Sequence, residues 1–243
     1  MRTKFAEQEC SNLFESRSLY FSNLSSLLHW YQKGYLSEND QLNIPRETLE
    51  NYRISRTELS QRRENERPIV TVCHDFKGGY QSGEDLDPLG DFEHISGRHY
   101  WLRYVELVDE FIYFSHHMVT IPPTGWTNYL HRNGIPVLGT LIFEGSRNGY
   151  SDNEIFKKNE GGDFVYVKIL TYLCQVFHFD GWLVNFETRF DPKSEAAVEF
   201  VRSLTTSISM NINHGRVVWY DSYVPQFNRV LYQNEINELN WSF

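Results

Sequence analysis

From Pro68 onward, five short runs of nearly unbroken apolar and β-branched residues punctuate the chain: "PIVTVCHD", "VDEFIYFSHH", "PVLGTLIFE", "FDGWLVNFE" and "GRVVWYDSY". A strand with one solvated face alternates apolar and polar side chains, whereas a strand covered on both faces reads as a continuous apolar run. The five runs are therefore expected as buried strands. Between them, "GRHYWLRYVELV", "GWTNYLHRNG", "DFVYVKILTYLCQVFHF" and "PKSEAAVEFVRSLTTSISMNI" carry apolar residues at i, i+3 and i+4, the spacing of amphipathic helices. Strand–helix alternation of this kind predicts parallel βαβ units.

Residues 1–67 have a different texture. "SNLSSLLHWYQKGYL" shows helical apolar spacing, and "RISRTELSQRRENER" is a charged connector. The expected organisation is an N-terminal segment over 1–67 and an α/β unit over 68–243. Two architectures fit such a unit: an open doubly wound sheet or a (β/α)8 barrel. A doubly wound nucleotide fold should carry a Gly-rich phosphate loop after its first strand. "HDFKGGYQSGEDLD" has glycines in neither phosphate-loop spacing. The expectation is α/β of the (β/α)8 TIM-barrel type, incomplete, with about five of the eight βα units. Such a sheet leaves unpaired edges on its first and fifth strands.

Composition narrows the partners. The formal net charge of −9 over 243 residues argues against a general nucleic-acid binder, which needs a basic face. Aromatics reach 16 %, which suits both a large core and a surface that stacks on sugar rings. The three cysteines are widely separated and indicate no disulfide framework. The N-terminus lacks the apolar stretch of a signal peptide, and no run approaches a membrane span. A cytosolic protein without membrane association is expected. No metal or other cofactor is expected either. His116 and His117 are adjacent and would point to opposite faces of a strand, His94 and His99 lack a partner set, and "GEDLD" (83–87) lacks EF-hand spacing.

Chemistry in a parallel barrel sits at the C-terminal ends of the strands. The five runs end in His74-Asp75, Ser115-His116-His117, Glu144, Asn185-Phe186-Glu187 and Tyr220-Asp221-Ser222. Period two places Asn185 and Glu187 on one face, with Trp182, Val184 and Phe186 on the other. Their Cα atoms should lie roughly 6.5 Å apart. A carboxyl in a partly apolar barrel mouth can keep a proton for donation near neutral pH. A two-carboxylate retaining glycosidase would place a second acid about 5–5.5 Å away. Here an amide stands in that place, which points to a nucleophile supplied by the substrate: the carbonyl of a 2-acetamido group. The structural alternative pairs Glu187 with Arg189 and uses Asn185 to cap a turn.

"CHDFKGGY" (73–80), "YFSHHMVTIPPTGWTNYLHRNGIPVLGTLIFE" (113–144), "FDGWLVNFE" (179–187) and "VVWYDSY" (217–223) together resemble glycoside hydrolase family 85, the cytosolic endo-β-N-acetylglucosaminidases. The resemblance implies a (β/α)8 catalytic barrel that cleaves the GlcNAc-β-1,4-GlcNAc core of N-glycans, free or on glycopeptides, with retention through an oxazolinium intermediate. It implies Glu187 as general acid/base, Asn185 as the residue positioning the 2-acetamido group, and Tyr220 as assisting at the same centre. Glu144 resembles a substrate-contacting acid. Tyr232 stands where the family usually has Trp, and His74 and Trp219 join it as expected substrate contacts. The strand also resembles the chitinase D-G-x-D-x-D-x-E pattern, but Leu183 and Asn185 replace two of its acids. Besides the hydrolase, the sequence leaves two readings: an inactive truncated product or glycan-binding remnant of such an enzyme, and a chitinase-like glycosidase.

Overall fold

The computed structural model describes residues 19–52, 68–80, 102, 104–145, 153–190 and 194–240. The connector 53–67, the 83–87 loop, His94, His99 and half of the helical stretch 97–108 lie outside them. In chain order the elements are β1 (Tyr20–Phe21), α1 (Leu24–Gln32), α2 (Glu38–Leu42), β2 (Thr71–Asp75), β3 (Glu110–Phe114), β4 (Val119–Thr120) and α3 (Thr124–Arg132). They continue with β5 (Val137–Glu144), α4 (Val165–Phe177), β6 (Gly181–Glu187), α5 (Ser194–Asn211), β7 (Arg216–Trp219), β8 (Tyr223–Val224) and β9 (Arg229–Val230).

All five expected strands form. β2, β3, β5, β6 and β7 lie side by side in sequence order, and every pairing among them is parallel. This is the arc of an incomplete α/β barrel. The end of the stretch expected as a helix after residue 97 is instead a 3₁₀ turn over Val105–Leu107. Four two-residue strands, β1, β4, β8 and β9, escape the sequence pattern. β4 lies antiparallel to β5, with Thr120 opposite Thr140, and β1 pairs with β4. A two-residue strand is too short to generate a periodic signal.

Alternation sorts the strand side chains into two layers. On the outside, Trp182, Val184 and Phe186 of β6 and Leu141 and Phe143 of β5 pack against Leu170, Leu173 and Phe177 of α4 and Phe200, Leu204 and Ile208 of α5. The same cluster takes in Leu24, Leu27 and Trp30 of α1, so the N-terminal segment covers the helical side of the sheet. A second outer cluster joins Phe76, Phe111 and Tyr113 to Trp126 and Leu130 of α3. On the inside, a smaller group forms from Ile112, Leu138 and Leu183, flanked by Phe114 and Val218.

Below that inner group, Arg216 Nη1 of β7 meets Glu110 Oε2 of β3 at 3.3 Å, across β5 and β6. Thr71 Oγ1 donates to Glu110 Oε1 at 3.1 Å. Gly181, the start of β6, has φ +141°, and a Cβ there would run into the Arg216 carbonyl oxygen. Only glycine lets β7 approach β6 this closely. At the same end of the sheet, His131 of α3 places Nε2 2.8 Å from Asp180 Oδ2 and Nδ1 3.0 Å from the Glu47 carbonyl. Val137 N also donates to Asp180 Oδ2, at 2.7 Å. This network ties the N-terminal segment to the start of β5 and β6.

Candidate active site

The C-terminal ends of the strands carry the polar cluster. β6 brings Asn185 and Glu187 to the inner face, as period two requires, because Trp182, Val184 and Phe186 are all committed to the outer core. Asn185 is 2 % exposed, while Glu187 at the rim is half-buried. Asn185 Nδ2 donates to Glu187 Oε1 at 3.2 Å. The other amide atom, Asn185 Oδ1, is buried and has no hydrogen-bond partner among the described residues. A buried acceptor without a donor costs free energy, and this one lies beside a carboxylate at a barrel mouth.

Glu144, the last residue of β5, is the register partner of Glu187. Parallel strands lie about 4.8 Å apart, so the two carboxylates leave the same face as neighbours. Tyr220 directly follows β7, and its N–H donates to the Val184 carbonyl at 3.0 Å, extending the β6–β7 ladder by one step. Ser222 Oγ then donates to the Phe186 carbonyl at 3.0 Å and fixes the turn that follows. The β8–β9 hairpin folds back from it, with Asn228 Nδ2 donating to the Phe190 carbonyl at 2.6 Å. Leu231 N returns to the Ser222 carbonyl at 2.7 Å, which brings Tyr232 over the rim. There the Glu187 charge raises the Tyr232 phenol above its ordinary pKa, helped by desolvation and by the nearby Tyr220, the hydrogen bond to Glu187 and the Glu144 charge.

Five of the seven residues singled out from sequence therefore meet at one end of the arc: Asn185, Glu187, Tyr220, Glu144 and Tyr232. The other two do not. His74 shares the outer face of β2 with Phe76, on which it stacks at 4.3 Å, and faces Trp126 of α3. Trp219 packs edge-on against Phe186 at 5.5 Å within the outer core. In the structure both take packing positions on the outer face, apart from that cluster. The reason is parity: on β2 the inward residue is Asp75, and at the end of β7 the rim residue is Tyr220. A residue that the sequence does not single out for the site joins the rim: His116, which bonds Glu144 at 2.8 Å. Its signal is its place two residues beyond Phe114, an inward position of β3. Among the described residues, no group of three or more His, Cys, Asp or Glu side chains converges as a metal site.

A parallel barrel-type sheet whose strand ends gather an amide, two carboxylates and two phenols has the layout of an α/β-barrel glycoside hydrolase. The profile of glycosyl hydrolase family 85 matches residues 85–243, and the chain belongs to that family. The cytosolic endo-beta-N-acetylglucosaminidase of Gallus gallus is 37 % identical over 239 residues, which cover 94 % of this chain and 29 % of the relative. The Homo sapiens protein of the same name is 36 % identical over 230 residues, 93 % of this chain and 28 % of the relative. The chain thus spans less than a third of the length of these curated relatives. The glycoside hydrolase domain of Endo-D from Streptococcus pneumoniae R6 shares the fold, with a TM-score of 0.67 at 20 % identity over 93 % of this chain and 34 % of that one.

Proposed function

We propose that this chain carries the catalytic strand ends of a cytosolic endo-β-N-acetylglucosaminidase, with residues 1–67 as a segment preceding the barrel. The substrate is an N-glycan or glycopeptide, cut between the two core GlcNAc residues. Asn185 orients the 2-acetamido group, whose carbonyl oxygen attacks the anomeric carbon of its own sugar. Glu187 gives a proton to the departing GlcNAc oxygen, and an oxazolinium forms. Glu187 then takes a proton from the water that attacks the same carbon, and the configuration is retained. Tyr220 assists at this centre, and Glu144 and Tyr232 contact the sugar.

The observation that carries this reading is the split use of the Asn185 amide. Its donor is engaged by Glu187, while its buried acceptor has no partner among the described residues. An acetamido N–H is a donor of the right kind for that oxygen. The test is incubation of the purified chain with a fluorescent high-mannose glycan, with Glu187→Gln as control. The expected result is release of a glycan ending in a single GlcNAc by the wild type, with a loss of at least about 10²–10⁴-fold in the variant. Absence of release by the wild type, or equal release by both, overturns the reading for this chain.

A further inference from the structure

The rim holds a second arrangement, built around His116. Glu144 and Glu187 are register partners on neighbouring strands. Like charges placed side by side on a sheet repel each other. Either carboxylate could also accept from the Asn185 amide, since both leave the same face as that residue. The structure gives each its own partner, Asn185 for Glu187 and His116 for Glu144. His116 Nδ1 lies 2.8 Å from Glu144 Oε1 and 3.1 Å from Oε2, so one N–H bridges both oxygens. Its Nε2 faces Asp75 Oδ1 at 3.8 Å, across the end of β2. The ring stands edge-on to Phe114 at 5.3 Å, and the His116 backbone N–H donates to the Lys77 carbonyl at 2.8 Å. His117 turns away and stacks on Tyr20 at 3.5 Å.

We infer that His116 is a positioning residue: its imidazolium clamps the Glu144 carboxylate away from Glu187 and so reserves the Asn185–Glu187 pair for the sugar. The clamp stands on the geometry alone, whereas its use in glycan recognition rests on the function proposed above. The ionisable groups that face the ring are Glu144 from β5, Asp75 from β2, Glu187 from β6 and the adjacent His117. Three carboxylates against one imidazole favour the cation. The hydrogen bond to Glu144 raises His116 above the ordinary imidazole pKa, outweighing the opposing effect of burial, and the Glu144, Asp75 and Glu187 charges add to it. The clamp is therefore at full strength below the ordinary imidazole range and weakens to a neutral hydrogen bond as pH rises through the raised value. The ring and its two carboxylate partners are partly exposed, so the clamp adds little to stability and variants at these positions fold.

The test uses the 243-residue chain labelled with 15N-histidine. Imidazole resonances are followed against pH in the wild type, Glu144→Gln, His116→Gln and His116→Phe. The His116 midpoint is expected above the ordinary range in the wild type and within it in Glu144→Gln. A midpoint unmoved by Glu144→Gln overturns the clamp. In parallel, binding of a GlcNAc thiazoline, a stable mimic of the oxazolinium, is titrated at about pH 6 and about pH 8.5, on either side of the imidazole range. His116→Phe is expected to weaken binding about tenfold at the lower pH, the worth of a charged hydrogen bond. It should also abolish the pH dependence. His116→Gln, which keeps a neutral donor, should recover part of the loss. Equal affinity of His116→Phe and wild type overturns the role in recognition. A wild type that binds no thiazoline sinks the proposed function instead, and the resonance titration then decides the clamp by itself.

Discussion

His131 bonds Asp180 through Nε2 at 2.8 Å while its Nδ1 meets the Glu47 carbonyl at 3.0 Å. Both partners are acceptors. The carbonyl can only accept, and the same carboxylate oxygen already accepts from Val137 N–H. A ring that donates from both nitrogens is doubly protonated. Burial alone would lower the His131 pKa, but the Asp180 hydrogen bond and charge, with Glu47 behind them, outweigh it and raise it. A raised imidazole stabilises the fold fully below its unfolded value of about 6.5, and that stability is lost as pH rises through the folded value. The melting temperature is thus expected to fall as pH climbs from about 6.5, and His131→Gln should flatten that slope. A parallel decline in both proteins would show that another group sets it.

The Arg216–Glu110 contact predicts a different kind of loss. Removing the guanidinium by Arg216→Met leaves Glu110, 2 % exposed, with Thr71 as its side-chain donor. An under-satisfied buried carboxylate should cost about 1–3 kcal/mol, read from urea unfolding. Adding Glu110→Gln to Arg216→Met should recover part of it, because the charge that needed a partner is gone. A double variant as unstable as the sum of the singles would mean that the contact contributes by packing alone.

Asn185→Ala separates orientation from proton transfer. Glycan hydrolysis should drop about 10²–10³-fold, as for other lost preorganised polar groups. A preformed sugar oxazoline bypasses the step that Asn185 assists, so turnover of that substrate should be partly spared. Equal loss on both substrates would make Asn185 structural.

His74 and Trp219 supply the negative control. Both lie in the outer layer, so His74→Leu and Trp219→Leu should change thiazoline affinity by less than about twofold, within the error of context-dependent contacts. Trp219→Leu should lower the melting temperature through lost packing on Phe186 and Tyr223. Weaker binding at unchanged stability would restore either residue to the site.

These two residues also show where the sequence stops being readable. The strands were legible because their apolar runs are nearly continuous, as burial on both faces requires in β3, β5 and β6; β2, expected as buried, shows its inner face to solvent, and β7 is only partly buried. That continuity hides which face is which. In β6 the polar pair Asn185 and Glu187 broke the run and revealed the parity, but in β2 and β7 nothing did. His74 and Asp75 are both polar, and Trp219 and Tyr220 are both aromatic. The His116–Glu144 contact was invisible for another reason: its partners are 28 residues apart and meet only through the order of β3 and β5 in the sheet.

The outer side chains of β6 also act as a reading frame for the chemistry. A slip of one residue would turn Asn185 and Glu187 into the helical layer and send Phe186 to the rim. It would also pull Trp182, Val184 and Phe186 out of a core where each is fully buried. At about 1.5–3 kcal/mol per large apolar side chain, the three together resist the shift with a free energy comparable to that of a whole small domain. A single inserted residue inside this strand should therefore be far more damaging than a point substitution at any one of its positions. The chain can keep the core in register or the pair in register, and after such an insertion it cannot keep both.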